Sequence, residues 1–330
     1  MNYILLLLGF VLLIKGADYF VDGSSSIAKK LKIPSLIIGL TIVAFGTSAP
    51  EAAVSITASI NGQNGIAIGN IIGSNIFNLL MVIGASGLIK PLLVEKSILK
   101  KEFPFTLLIS VLLVLLCADT LIFNKSINTI SRFDGLILLI LFVGFLYYLI
   151  HSALKNRKEN ISALETSIDM DASSVKSIEK SDSMIKYILI SVFGMAAIIF
   201  GANIVVNSAS AIASNFGVSD QLIGLTIVSI GTSLPEFITS VVAAKKGESN
   251  LALGNVMGSN IFNILFIIGI SALISPMSVD PKLLIDGAIM ILYTLLVYFY
   301  SYRKNDISRK ESFSMLILYI IYMTYLILSA

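Results

Sequence analysis

Two glutamates, Glu51 and Glu236, stand inside long apolar stretches with no nearby Lys or Arg to neutralise them. An ionised carboxylate at bilayer depth costs about 2.5–3.5 kcal/mol even on lenient scales, so its ordinary explanation is a functional partner. A bound cation is the natural counter-charge; a protonated, purely structural glutamate is the alternative. Pro50 and Pro235 each precede one glutamate, and Gly46 and Gly231 lie four residues before each proline. Proline removes a backbone donor and clashes with the previous turn, while glycine loosens it. The helix should therefore break at both places and leave carbonyl oxygens unpaired. In lipid, such backbone survives only where it lines a cavity or meets an ion. Thr47, Ser48, Thr232 and Ser233 add hydroxyls at the same level. Carboxylate, hydroxyl and carbonyl oxygens are hard ligands, suited to Ca2+ and Na+ and unsuited to Zn2+ or Cu2+.

A second polar set follows each glutamate: Ser74 with Asn78, and Ser259 with Asn263. Their i, i+4 spacing stacks each pair on one helix face. Gly69, Gly73, Gly254 and Gly258 are also spaced by four, which lets these helices approach a neighbour closely. Interhelical hydrogen bonding alone is the competing role for these serines and asparagines.

The two polar sets are copies. A shift of 185 residues lays Gly46-Thr47-Ser48-Ala49-Pro50-Glu51 on Gly231-Thr232-Ser233-Leu234-Pro235-Glu236 without a gap. The same shift matches Gly73-Ser74-Asn75-Ile76-Phe77-Asn78 to Gly258-Ser259-Asn260-Ile261-Phe262-Asn263, and the six residues from Ile38 recur identically from Ile223. A passive duplicated bundle has no need to keep polar residues at membrane depth.

The elements that must hold these residues are membrane helices. Of 330 residues, 56% are hydrophobic and only 13% charged, and apolar runs of about 18 or more residues read as bilayer spans. Hydropathy predicts about ten helices, near 3–22, 34–60, 65–89, 103–123, 133–153, 185–206, 219–244, 249–274, 283–301 and 312–329. The expected fold is an all-α integral membrane protein of two inverted five-helix repeats, 1–154 and 185–330, around a hydrophilic linker, 155–184. Five helices per half, an odd number, turn the second copy upside down, the architecture of secondary transporters with a midplane site. Lys and Arg gather in the linker and on its side of the membrane, leaving Lys125, Arg132 and Lys282 opposite. That bias predicts a multi-pass cell-membrane protein with a cytoplasmic linker and both termini outside. Lys15, Asp18 and Asp22 follow the first apolar run, and the absence of a basic leader argues for a retained first helix.

Several function classes drop out. The net charge of +3 is too small to imply nucleic acid, and the lone Cys117 can form no internal disulfide. No nucleotide loop, nucleophile–histidine pair or zinc motif is present, so no enzyme, no cofactor and no obligate protein partner are expected. In the linker, Asp169, Asp171 and Ser173 begin like a Ca2+ loop, but the glycine and glutamate that loop requires are misplaced or missing. Lys15 and Asp18 read as a local i, i+3 ion pair. Asn203 and Asn207 stand in the second repeat where the first has Asp18 and Asp22.

The duplicated Gly-Thr-Ser-x-Pro-Glu and Gly-Ser-Asn-Ile-Phe-Asn segments resemble the alpha-repeats of the Ca2+/cation antiporter superfamily, and most closely its prokaryotic Na+/Ca2+ exchangers. The resemblance implies Na+/Ca2+ antiport by alternating access, with Glu51, Glu236 and the backbone oxygens of Thr47 and Thr232 holding Ca2+. It implies Na+ sites from the hydroxyls of Thr47, Ser48, Ser74, Thr232, Ser233 and Ser259 and the carbonyls of Ala44 and Ser229. Asn78 and Asn263 would close the central group, and helices one and six would slide. Asn263 falls where some relatives, including the K+-dependent branch, carry aspartate, and an amide there argues against K+ co-transport. The proton-coupled branch of the superfamily is the nearest competing reading, disfavoured by the hydroxyl-rich motif. A cation channel is a more distant one.

Overall fold

A computed structural model describes residues 2–122, 126–170, 183–217 and 229–329. Helices dominate: α1 (Asn2–Leu31), α2 (Ser35–Thr47), α3 (Ala49–Ile60), α4 (Asn64–Ile89) and α5 (Phe103–Leu116, entered through a π turn at Ile98–Glu102). After the short α6 (Asp119–Ile122) come α7 (Arg132–Met170) and α8 (Met184–Asn215). Then follow α9 (Ser229–Thr232), α10 (Leu234–Lys246), α11 (Ser249–Ile274), α12 (Pro281–Lys304) and α13 (Arg309–Ser329).

Among the described residues, seven helices are long and apolar enough to cross a membrane, and α2 with α3 adds an eighth if that bent pair is one span. The expected ten do not all appear as single rods, for three reasons. The predicted 34–60 helix is bent by 51° at Ser48. The predicted 103–123 helix stops at Leu116, with a turn at Cys117 and Ala118 before α6. In the predicted 219–244 helix, 219–228 lie outside the described residues, and the remainder is divided at Ser233. The predicted 133–153 helix also runs longer, since α7 continues to Met170. No Gly or Pro occurs between Phe145 and Met170, and Ala, Leu, Glu, Lys and Arg there are good helix formers.

The two central helices, α4 and α11, are 72% and 78% buried over their most apolar windows, against 22–33% for α1, α7, α8, α12 and α13. The outer helices present Leu7, Val143, Phe193, Phe200, Leu292 and Ile320 outward, where lipid would meet them. The polar segments are therefore packed in the middle and shielded from the bilayer.

Two small antiparallel ribbons tie the halves together. The strand Leu92–Leu93 (β1) pairs with Asp306–Ile307 (β4), and Asn128–Ile130 (β2) pairs with Met277–Val279 (β3). Each ribbon precedes a capped helix. Ser131 and Asp134 form a reciprocal cap at the start of α7, and Ser308 and Glu311 do the same for α13.

Glycine sets how closely the central helices meet. A Cβ on Gly258 would sit 2.7 Å from the Leu40 Cα and carbonyl and the Ala44 Cβ, so α11 lies directly on the backbone of α2. Gly254 meets Leu36 and Gly39 in the same way. The segment that would be the repeat-related neighbour of Gly69 and Gly73 falls in 219–228, outside the described residues. Gly258→Ala should cost about 1–3 kcal/mol of stability through overpacking against backbone, read as a lowered unfolding temperature in detergent.

Candidate functional site

Both predicted breaks are present, and they build the site. α2 ends at Thr47 and α3 begins at Ala49, with Ser48 between them at φ −82°, ψ 7°. α9 ends at Thr232 and α10 begins at Leu234, with Ser233 at φ −90°, ψ 6°. Pro50 and Pro235 occupy the first turn of each following helix, where a missing N–H costs nothing. Pro50 has no N–H to give the Gly46 carbonyl four residues back, and Pro235 none for Gly231.

The break swings each serine towards the glutamate of the other half. The Ser48 hydroxyl donates to Glu236 Oε1 at 2.7 Å, and the Ser233 hydroxyl donates to Glu51 Oε1 at 2.7 Å. Ser74 Oγ lies 3.1 Å from Ser233 Oγ, and the Ser259 hydroxyl donates to Glu236 Oε1 at 3.5 Å. Thr47 and Thr232 also face Glu236 and Glu51. Beside Ser74 a cavity of about 40 Å³, walled by Ile230, Tyr319, Tyr322 and Met323, has room for about one water molecule or ion.

Four asparagines join α4 to α11. Asn78 Nδ2 donates to Asn260 Oδ1 at 3.1 Å, and Asn263 Nδ2 donates to Asn75 Oδ1 at 3.0 Å. Asn75 and Asn260 each donate to the other's backbone carbonyl, at 3.5 and 3.4 Å. Asn75 and Asn260 were not singled out in the sequence, although the repeat contains both. The i, i+4 pattern favours the Ser74/Asn78 face, and only the tertiary fold turns the adjacent face towards the other half. Asn255 was also missed, although its spacing of four from Ser259 puts it on the Ser259/Asn263 face: it accepts from Thr47 at 3.0 Å and donates to Ser240 at 2.9 Å. Asn260→Ala should remove the acceptor of Asn78 and cost about 1–3 kcal/mol, measurable as a lowered unfolding temperature with helix content unchanged.

These bonds leave a consistent remainder. Glu51 Oε2, Glu236 Oε2, Asn78 Oδ1 and Asn263 Oδ1 are all buried acceptors without a hydrogen-bond donor. Glu51, Glu236, Asn78 and Asn263 are each no more than 1% exposed. Buried oxygen acceptors are ordinarily satisfied, and carboxylate and amide oxygens are ligands that suit a hard cation. Of the predicted residues, Glu51, Glu236, Ser48, Ser233, Ser74 and Ser259 are thus joined by hydrogen bonds, with Thr47 and Thr232 beside the glutamates, while Asn78 and Asn263 belong to the asparagine set between α4 and α11. The Ala44 carbonyl accepts from the Ser48 N–H at 3.0 Å, so one protein donor already engages it. Ser229 opens α9, and its side chain is outside the described residues.

Broken helices that meet tip to tip around buried carboxylates, in two related halves, define a membrane transporter for cations. Comparison with known proteins narrows the class. The sodium/calcium exchanger protein family matches residues 1–151 and 186–328. The chain is 40% identical to the putative antiporter CaxA of Alkalimonas amylolytica, over 93% of this chain and 91% of that protein. It is 35% identical to the sodium/calcium exchanger MaX1 of Methanosarcina acetivorans, over 98% of both chains. A solved structure of the sodium-calcium exchanger NCX_Mj superposes with a TM-score of 0.81 at 31% identity, covering 98% of this chain and 97% of that one. The chain belongs to the sodium/calcium exchanger family, a family of membrane antiporters and not of enzymes.

Proposed function

We propose that this protein exchanges Na+ for Ca2+ at a single centre formed by Glu51 and Glu236, by alternating access, without K+, and with net movement of charge. The observation that carries this reading is the set of four unsatisfied acceptor oxygens, two carboxylate and two amide. Two negative charges balance one Ca2+, and the amide of Asn263 leaves no third carboxylate for an added K+. Thr47 and Thr232 supply backbone oxygen to Ca2+. The hydroxyls of Thr47, Ser48, Ser74, Thr232, Ser233 and Ser259, with the carbonyls of Ala44 and Ser229, extend the centre into flanking Na+ sites. Because the glutamates are shared, Na+ and Ca2+ exclude one another, which is the requirement for coupling. Helices α1 and α8, one from each of the repeats 1–154 and 185–330, slide to alternate the access; the linker at 155–184 is cytoplasmic, both termini lie outside, and Ca2+ normally moves outward.

Proteoliposomes loaded with Na+ provide the test. Uptake of 45Ca2+ should require internal Na+, ignore K+, and accelerate when the membrane potential favours exit of positive charge. Uptake driven by a pH gradient without Na+ would instead favour a proton-coupled mechanism, and flux with no counter-ion requirement would favour a channel.

A further inference from the structure

Asp18 does not serve a local pair with Lys15. Lys246, at the end of α10, contacts Asp22 at 2.8 Å and Asp18 at 3.4 Å, and donates to the Asp18 carbonyl at 2.8 Å. Asp18 and Asp22 are one helical turn apart on α1, so both present their carboxylates on one face. A second pair, Lys29 to Glu248 at 3.8 Å, crosses between the same two regions. Glu236 sits in the first turn of α10, so this ionic cluster fastens α1 to the helix that carries one of the central carboxylates.

The internal repeat supplies a control within the molecule. Under the 185-residue shift, Asp18 and Asp22 correspond to Asn203 and Asn207, and Lys246 corresponds to Asn61. Lys29 and Glu248 correspond to Ser214 and Gln63. Every charge in the cluster has a neutral counterpart. The packing is equally one-sided: α1 lies against α10, whereas α8 makes at most marginal contact with α3. In an inverted-repeat transporter the opposite access state is reached when the halves exchange conformations. That exchange would undock α1 from α10 and dock α8 on α3, breaking the ionic cluster and bringing only Asn61, Asn203 and Asn207 together in its place.

We infer that Lys246, Asp18 and Asp22 form a one-sided ionic clamp that biases the transporter towards the access state in which α1 is docked on α10. The inference rests on the alternating-access reading, and under the proposed orientation the clamp lies at the cytoplasmic ends of these helices. It therefore favours the state closed to the cytoplasm. A site competent on one face for only part of the time binds from that face with proportionately weaker apparent affinity. The clamp thus raises the cytoplasmic Ca2+ concentration needed to start a cycle. Asp22 is 65% exposed, so raised ionic strength should loosen the clamp.

The test compares Lys246→Met, the milder Asp22→Asn, and the mirror variant Asn61→Lys with Asn203→Asp and Asn207→Asp. Apparent Ca2+ affinity is read separately at each face of sided proteoliposomes, and amide hydrogen exchange of α1 and α8 is read on purified protein without Na+ or Ca2+. Lys246→Met should strengthen cytoplasmic-side affinity by about three- to tenfold, with a smaller effect for Asp22→Asn, and should raise exchange at the cytoplasmic end of α1. The mirror variant should shift both readouts the opposite way. No shift in Lys246→Met and Asp22→Asn, or a mirror variant that moves in the same direction, overturns the clamp. Hydrogen exchange needs no transport: the expected shift without Na+-driven Ca2+ flux leaves the clamp standing and sinks the exchanger reading. Normal flux with no shift does the reverse.

Discussion

Replacing Glu51 or Glu236 with glutamine should abolish Na+-driven Ca2+ flux while leaving the protein folded. At an effective dielectric near 20, a unit charge pair about 4 Å apart is worth about 4 kcal/mol, or roughly a thousandfold in affinity, and Ca2+ carries two charges. Glutamine preserves the shape and can still accept from Ser233 or Ser48. The ion-free protein should not suffer, because each glutamine removes a buried charge whose second oxygen has no donor. Unfolding temperature in chelator should therefore be unchanged or raised, whereas Ca2+ should no longer raise it. Loss of folding in both variants, or transport at the parental rate, would show that the carboxylates serve structure instead.

The second large effect lies in the contact between α1 and α8. Gly194→Ala should slow exchange at least about tenfold and destabilise the protein by about 1–3 kcal/mol. α1 and α8 cross through a run of glycines spaced by seven, Gly9, Gly16 and Gly23 on one helix and Gly194 and Gly201 on the other. A Cβ on Gly194 would lie 2.6 Å from the Phe20 nitrogen and 2.8 Å from the Gly16 carbonyl, with no flexible side chain to yield. Two backbones in direct contact present little side-chain relief, which suits the proposed sliding of this pair across the core. Gly144→Ala on α7, where an added Cβ meets nothing within 4 Å, is the control and should be silent. Stopped-flow Ca2+ uptake and unfolding in detergent read the two effects separately. Equal rates for Gly194→Ala and Gly144→Ala would mean that this contact does not limit the cycle.

The site was legible in the sequence because burying charge in lipid is costly and because it was repeated. Glu51 and Glu236 stood out with no cationic partner, and Pro50 and Pro235 announced the breaks that the structure shows at Ser48 and Ser233. The crossed pairing of Ser48 with Glu236 and Ser233 with Glu51 was not legible, since it depends on how the halves face each other. Asn75 and Asn260 were visible in the repeat, yet helical periodicity alone gave no reason to prefer their face.

Element boundaries followed the same pattern. Hydropathy carried the fourth span past Leu116, where the chain turns at Cys117 before α6. Charge ended the predicted helix at 153, although residues with high helix propensity and no breaker carry α7 on to Met170. The ionic contact of Asp18 was misjudged because its partner, Lys246, is 228 residues away and charge spacing reports only local neighbours.

The measurement that tests the central claim most directly is equilibrium 45Ca2+ binding to the purified protein, titrated with Na+ and repeated for Glu51→Gln with Glu236→Gln. The account predicts saturable Ca2+ binding that Na+ displaces cooperatively and that disappears in the double variant. Ca2+ binding that survives the loss of both glutamates, or that Na+ leaves untouched, would contradict it.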